Sequence, residues 1–253
     1  MAVGIQEIQS SPRRLMTPPL PRIVALGDAA VLADFSDTLD LAVNARIQQL
    51  AEAIRRRKLA WILDVVPALG SLALHFDPEA YDSPIPPLEA ATALVKDCLA
   101  KKLPNLDDLA RTVEIPVCYD TDLAPDLAEV AERCKVKVED AIRRHCASPH
   151  RVLMVGFAPG HPYIGGLDDK LSMPRRTTPR PTVMAGSVAI ANTQSVVYPF
   201  TISGGWNIIG RTPLRIFDAT REPPALMAPG DRVKFTAIQR DEFERIAKSA
   251  GAP

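Results

Sequence analysis

The chain has 253 residues, nearly half of them apolar, and its 30 basic residues balance 30 acidic ones. A neutral chain offers no global field to draw in nucleic acid or an anionic membrane, and with only 5% aromatics it lacks the stacking platforms of a single-strand binder. The length suffices to bury a large core, as one big domain or two small ones.

Residues 1–22 are polar and punctuated by proline, which predicts a flexible tail. From Ile23, the runs IVAL and AAVLADF about the turn at Gly27 and Asp28 predict two paired strands. A helix follows, with Val43, Ile47, Leu50 and Ile54 as its apolar face and Asn44, Gln48, Arg55 and Arg56 assigned to water. Two more strands, AWILDVVP and SLALHFD, flank Gly70. A second helix runs from about Pro87 to Lys102 with Leu88, Ala91, Val95, Cys98 and Leu99 inward. Two strands, helix, two strands, helix make a compact α/β unit over residues 23–104, bounded by the lysines and proline of KKLPN.

The second half opens with the strand TVEIPVCY and two short helices, Pro125 to Cys134 and Val138 to Cys146. After Ser148 the texture changes. VLMVGFA, VMAGSVAIAN, SVVYPF, WNIIG, LRIFD and DRVKFTAI are short, β-branched and divided by glycine and proline turns, which favours a closed or nearly closed β-barrel. The fold class read here is α+β, with a barrel domain over residues 105–240 and a tail over 241–253.

Chemistry concentrates between Arg151 and Asp218. From Lys170 to Phe217 there is no Asp or Glu, yet Lys170, Arg175, Arg176, Arg180, Arg211 and Arg215 are present. Glycine-rich backbone beside fixed cations favours an anion, although acids from elsewhere in the fold are the competing partners for each arginine. His161, between Gly160 and Pro162, is the histidine best placed to line a cleft and move a proton near neutral pH. His75 reads as a core or edge residue and His145, beside Arg143 and Arg144, as a cation capping a helix end. Gln194 and Tyr198 offer neutral hydrogen bonds to an amide or carboxylate, and Trp206 reads as barrel core.

There is no phosphate loop and no nucleophile elbow, since the residues after Ser187 read as strand. The four cysteines are far apart and read as reduced thiols, which excludes a zinc finger and points to the cytoplasm. The N-terminus lacks the apolar core of a signal peptide, and no apolar run is long enough to span a membrane.

The segments GDAAVLADF, EIPVCYDTDLAPDLAEVA, VGFAPGHPYIGGLDDKLSMPRRTTPRPTVMAGSVAIA, QSVVYPF, SGGWNIIGRTPLRIFD and APGDRVKF resemble the allophanate hydrolase subunit 1 family. That family includes the B-type component of bacterial 5-oxoprolinase and the sporulation kinase inhibitor KipI. The resemblance implies that the barrel is cyclophilin-like. It implies partners as well, a subunit 2 or C-type homologue and a separate A-type component of 5-oxoprolinase. The implied reaction is the ATP-dependent opening of 5-oxo-L-proline to L-glutamate, with Mg accompanying ATP.

On that reading His161 and Tyr198 are catalytic candidates, and Arg175, Arg176, Gln194 and Arg211 bind substrate or nucleotide, the arginines offsetting phosphate charge. A KipI-like inhibitor of a sensor histidine kinase, or a subunit of a urea- or allophanate-metabolising carboxyltransferase complex, is the alternative. The chain holds no Met-Lys-Met motif, so no biotin is expected on it. The resemblance also marks departures: the family commonly has an aromatic at His161, a glycine at Thr193 and a tyrosine at His150.

Overall fold

A computed structural model describes residues 20–108 and 110–249; the tail expected over residues 1–22 falls almost entirely outside them. The first layer follows the sequence pattern closely. β1 (Arg22–Ala25) and β2 (Ala30–Asp34) form the predicted antiparallel pair, and β3 (Ile62–Pro67) and β4 (Ser71–Phe76) the second, in one sheet ordered β1-β2-β4-β3. α1 (Leu41–Arg55) starts where Asp40 Oδ1 accepts from the backbone N–H of Ala42 and Val43 at 2.7 and 3.1 Å, a side-chain N-cap. α2 (Pro87–Ala100) starts at a proline, whose missing N–H costs nothing in the first turn. Leu72, Leu74 and Phe76 from the sheet meet Ile47, Leu50 and Ile54 of α1 and Val95 of α2 in one cluster. Each fully buried side chain of this size contributes about 1.5–3 kcal/mol.

Asn44 and Gln48 do not face water. Both are buried on α1, Asn44 Nδ2 donating to the carbonyls of Ala68, Leu69 and Leu153, and Gln48 Nε2 to Leu153 at 2.7 Å. Leu153 lies in the second half of the chain, so the polar face of α1 is the seam between the two layers.

That second half holds β5 (Thr112–Cys118), α3 (Leu127–Arg133), α4 (Val138–Ala147), β6 (His150–Val155), β7 (Pro162–Gly165), β8 (Arg180–Val183), β9 (Ser187–Ala191), β10 (Gln194–Val197), β11 (Ile202–Gly204), β12 (Asn207–Arg211), β13 (Arg232–Ile238) and α5 (Arg240–Ser249). A closed barrel runs β10-β7-β6-β13-β5-β12-β9. Its pairs are antiparallel except β13 with β5, which run parallel from Arg232↔Thr112 to Ile238↔Cys118. Ile115, Val117, Val152, Ile164, Val188, Ile190, Val197 and Phe235 fill the interior, with Val130, Ala131 and Ala141 of α3 and α4 packed on it.

Three expectations change here. VMAGSVAIAN is two strands rather than one: Gly186, at φ 81, separates β9 in the barrel from β8, which pairs instead with β11 outside it. LRIFD is no strand. Leu214 and Ile216 pack on the barrel core, while Leu226 N–H donates to the Ile216 carbonyl and Asp218 N–H to that of Pro224, closing a loop. The supposed tail over 241–253 carries α5 as far as Ser249, with Asp241 and Glu242 in its first turn and Lys248 in its last, the charge order its dipole favours.

Candidate functional site

Outside the barrel wall lies a second small cluster, Val183, Ala189, Ala191, Val196, Tyr198, Trp206 and Ile208, of which Tyr198 and Trp206 line a cleft of about 260 Å³. Strand period explains the direction: Val196 and Tyr198 share one face of the β10 segment, while Val197 points into the barrel. Trp206 is therefore buried, as expected, but as a wall of this cleft rather than as barrel interior.

His161 enters from the turn between β6 and β7. Gly156 N–H donates to the His161 carbonyl and His161 N–H to that of Ala158, both at 3.0 Å, and Gly160 supplies the φ of 72 that the turn requires. The ring is 2% exposed. Around it stand Phe157, Tyr163 and Tyr198 with centroids 5.5, 5.1 and 5.3 Å away, tilted or edge-on, the arrangement aromatic quadrupoles prefer. Tyr198 fits only because residue 204 is glycine, since a Cβ there would sit 2.2 Å from the phenol oxygen.

Arg175 and Arg176 come from the loop before β8. Arg176 N–H donates to the Gly205 carbonyl at 2.8 Å, and Asn207 Nδ2 to that of Pro174 at 3.0 Å, pinning the loop to the far lip of the cleft. The two guanidiniums differ. Arg176 donates to Asp126 Oδ1 at 3.0 Å, and Arg180 grips the same carboxylate through two nitrogens at 2.6 and 2.9 Å, with Ile208 N–H adding a fourth bond at 2.7 Å. Asp126 itself is 3% exposed. For Arg176 and Arg180, then, the partner is an acid from outside the acid-free block. Arg175 has no carboxylate partner among the described residues, and its guanidinium carbon lies 5.3 Å from the Trp206 ring centroid.

The structure thus brings His161, Tyr198, Arg175 and Arg176 to one cleft and leaves Gln194 and Arg211 outside it. Gln194 is buried in the β10 ladder opposite Gly165 and Ala191. Arg211 lines a different cavity of about 410 Å³, beneath α5 with Phe200, Phe217 and Phe243, and its Nε donates to the Ala185 carbonyl at 2.9 Å. Of the positions noted as departures, only His161 lines the cleft. His150 is buried at the start of β6, and Thr193 lies in the turn between β9 and β10.

Burial sets the chemistry. Desolvation lowers the His161 pKa to about 4, so the ring is neutral at pH 7. Desolvation likewise raises the Tyr198 pKa above the ordinary phenol value, with the Trp206 backbone hydrogen bond opposing it, so the phenol stays a neutral donor. Both groups can bind and orient an amide or carboxylate. The lining includes no carboxylate.

Sequence reasoning missed Asp126, the residue that fixes the cleft's far lip. Placed between Pro125 and an apolar helix it looks like an N-cap, yet its side chain makes no capping bond and serves the arginines instead. His145, expected as a cation capping a helix end, is instead buried, and burial pushes its pKa well below the ordinary imidazole value. The signal was present, because Val138, Ala141, Ile142 and His145 fall on one helical face.

Residues 21–227 match the model of the carboxyltransferase domain, subdomain C and D. The chain belongs to this family. It is 36% identical over 227 residues to the B-type component of 5-oxoprolinase from Bacillus subtilis, spanning 88% of this chain and 95% of that one. It is 34% identical over 215 residues to the corresponding 5-oxoprolinase component of Escherichia coli O157:H7, spanning 85% and 94%. The solved structure of TTHA0988 superposes with a TM-score of 0.69 at 36% identity over 83% of this chain, which spans only 40% of TTHA0988. No helix among the described residues is long and apolar enough to cross a membrane.

Proposed function

We propose that this chain is the B-type component of a 5-oxoprolinase, non-autonomous and working with partner subunits in the ATP-dependent opening of 5-oxo-L-proline to L-glutamate. The observation that carries the reading is the match with the Bacillus subtilis protein across 95% of its length, so similarity covers the whole of a named component rather than a shared fragment. The partners proposed are a subunit 2 or C-type homologue and a separate A-type component.

The cleft supports a shared site. It holds a cation, a neutral imidazole and a neutral phenol, which suffice to bind and orient a ring amide. Its lining has no carboxylate to act as general base, and the remaining groups are proposed to come from another chain. At about 260 Å³ it falls below the ordinary range of ligand pockets and is too small to enclose a nucleotide. ATP, with Mg, is accordingly proposed to sit mainly on a partner. ATP would supply the phosphoryl group that activates the ring carbonyl towards water; this chain's part is to hold and orient the amide. The fact that this chain spans 40% of TTHA0988 is consistent with a module that works beside another.

Co-purified subunits supplied with 5-oxoproline and ATP test the reading through glutamate release, with and without this chain. Omission should abolish release, and the chain alone should show little or none. Undiminished release on omission would refute it.

A further inference from the structure

Buried polar atoms in folded proteins are almost always hydrogen-bonded, and leaving one without a partner costs about 1–3 kcal/mol. His161 Nδ1 is buried with no partner among the described residues. Phe157, edge-on to the His161 ring, is 68% exposed and held at φ 73, a conformation that a bulky side chain adopts only under constraint. His161, whose Nδ1 lacks a side-chain partner, and the constrained Phe157 therefore line the same small cleft.

Arg175 borders it too. Asp126 takes up Arg176 and Arg180, which leaves Arg175 as the cleft-lining cation without a carboxylate among the described residues, held against Trp206. Arg175 is exposed and rests against the Trp206 ring, and its planar guanidinium matches a carboxylate in shape and charge. Between Arg175 and His161 the walls are the rings of Tyr163, Tyr198 and Trp206, suited to a flat, compact ligand.

We propose that this cleft binds a small carboxylate that also carries a planar amide, its carboxylate on Arg175 and its amide hydrogen-bonded to His161 Nδ1. Taking 5-oxoproline as the ligand rests on the function proposed above; the carboxylate-plus-amide chemistry rests on the cleft. Nδ1 accepts from the amide N–H in one tautomer and donates to the carbonyl in the other, so either orientation of the ring satisfies it. The imidazole keeps the ring packing and adds a polar contact that a phenyl group lacks.

The test uses the full chain, alone and with its partner subunits. With histidine ¹⁵N-labelled, 5-oxoproline should move the His161 Nδ1 resonance of the full chain. 2-Pyrrolidinone, which lacks the carboxylate, should move it only at concentrations roughly tenfold higher or more. Arg175→Met, which retains an aliphatic stem against Trp206, should erase that preference and raise KM for 5-oxoproline about tenfold in the assembled enzyme, with a smaller change in kcat. His161→Phe should raise KM severalfold while leaving the denaturation midpoint at pH 7 close to that of the wild type.

An unmoved His161 resonance at saturating 5-oxoproline, or an Arg175→Met enzyme with wild-type KM and an unaltered midpoint, overturns the proposal. The failures are separable. Glutamate release that depends on this chain but ignores both substitutions sinks the cleft and spares the 5-oxoprolinase reading. A resonance shift lost in Arg175→Met, together with release that never needed this chain, does the reverse.

Discussion

Two buried histidines of the barrel domain show how differently one side chain is used. His145, 1% exposed on α4, has both ring nitrogens engaged: Nδ1 lies 2.8 Å from the Tyr119 hydroxyl and Nε2 3.3 Å from Ser195 Oγ. Its carbonyl sits 2.8 Å from His150 Nε2, and its ring packs on Phe235 at 4.4 Å. His161, equally buried, is ringed by aromatics and has an orphaned Nδ1 beside a cavity. The closed cluster fixes the interior of the barrel, whereas the open one keeps a hydrogen bond in reserve at its surface. Satisfaction alone does not separate the two kinds, since His150 Nδ1 inside the barrel also lacks a partner; what sets His161 apart is that it lines a cleft.

Acid should break both regions at once, and this is the largest effect expected. Desolvation puts the folded-state pKa of His150 and of His161 at about 4 and that of His145 well below 6.5. Between those values and about 6.5 the unfolded chain binds more protons, so stability is retained above about pH 6.5 and lost as pH falls toward 4. The loss at pH 4 is about 3 kcal/mol for each of His150 and His161. Denaturation midpoints recorded from pH 7 to pH 4 check this, and the wild-type curve minus that of His161→Phe isolates the cleft's share. A difference that stays flat with pH would contradict the burial of His161.

Next in size is the support of the cleft's far lip. Asp126→Ala leaves two part-exposed guanidiniums and the buried Ile208 N–H without their carboxylate, and losing hydrogen bonds to a charged group costs about 1.5–3 kcal/mol. Chemical denaturation measures it. Since the Asp126 bonds position Arg176 next to Arg175, the same variant should bind 5-oxoproline more weakly even where it remains folded.

Within the closed cluster, Tyr119→Phe removes the hydroxyl facing His145 Nδ1. That nitrogen is then buried without a partner, at a cost of about 1–3 kcal/mol. The loss should be seen as a lowered urea midpoint, and KM for 5-oxoproline should not move. A changed KM with an unchanged midpoint would mean that the two regions are coupled.

The same contrast explains what was legible in the sequence. Periodicity located α1, α2 and the sheet, because Val43, Ile47, Leu50 and Ile54 meet the sheet within one layer. It misassigned Asn44 and Gln48, since a polar face that meets another layer's carbonyls has the same spacing as one that meets water. LRIFD alternates like a strand because Leu214 and Ile216 pack inward from a loop. The cleft was half legible: glycine, proline and a cluster of cations marked the region, and His161, Tyr198, Arg175 and Arg176 do converge there. The division of labour among the arginines was not legible. It depends on Asp126, some fifty residues before Arg176 and Arg180, and no local pattern connects them.

The smallest stability effect separates the two histidines most sharply. A phenyl group at position 161 keeps the edge-on contacts with Phe157, Tyr163 and Tyr198 while removing a nitrogen that has no partner. His161→Phe should therefore change stability at pH 7 by less than about 1 kcal/mol, with gain as acceptable as loss, since deleting an unsatisfied buried polar atom is nearly neutral or favourable. His145→Phe has no such latitude, because it strands the Tyr119 and Ser195 hydroxyls together in a dry interior. Thermal unfolding of the two variants side by side decides the matter. Equal losses would mean that His161 Nδ1 is already satisfied without a ligand, and the reserve assigned to the open cluster would be absent.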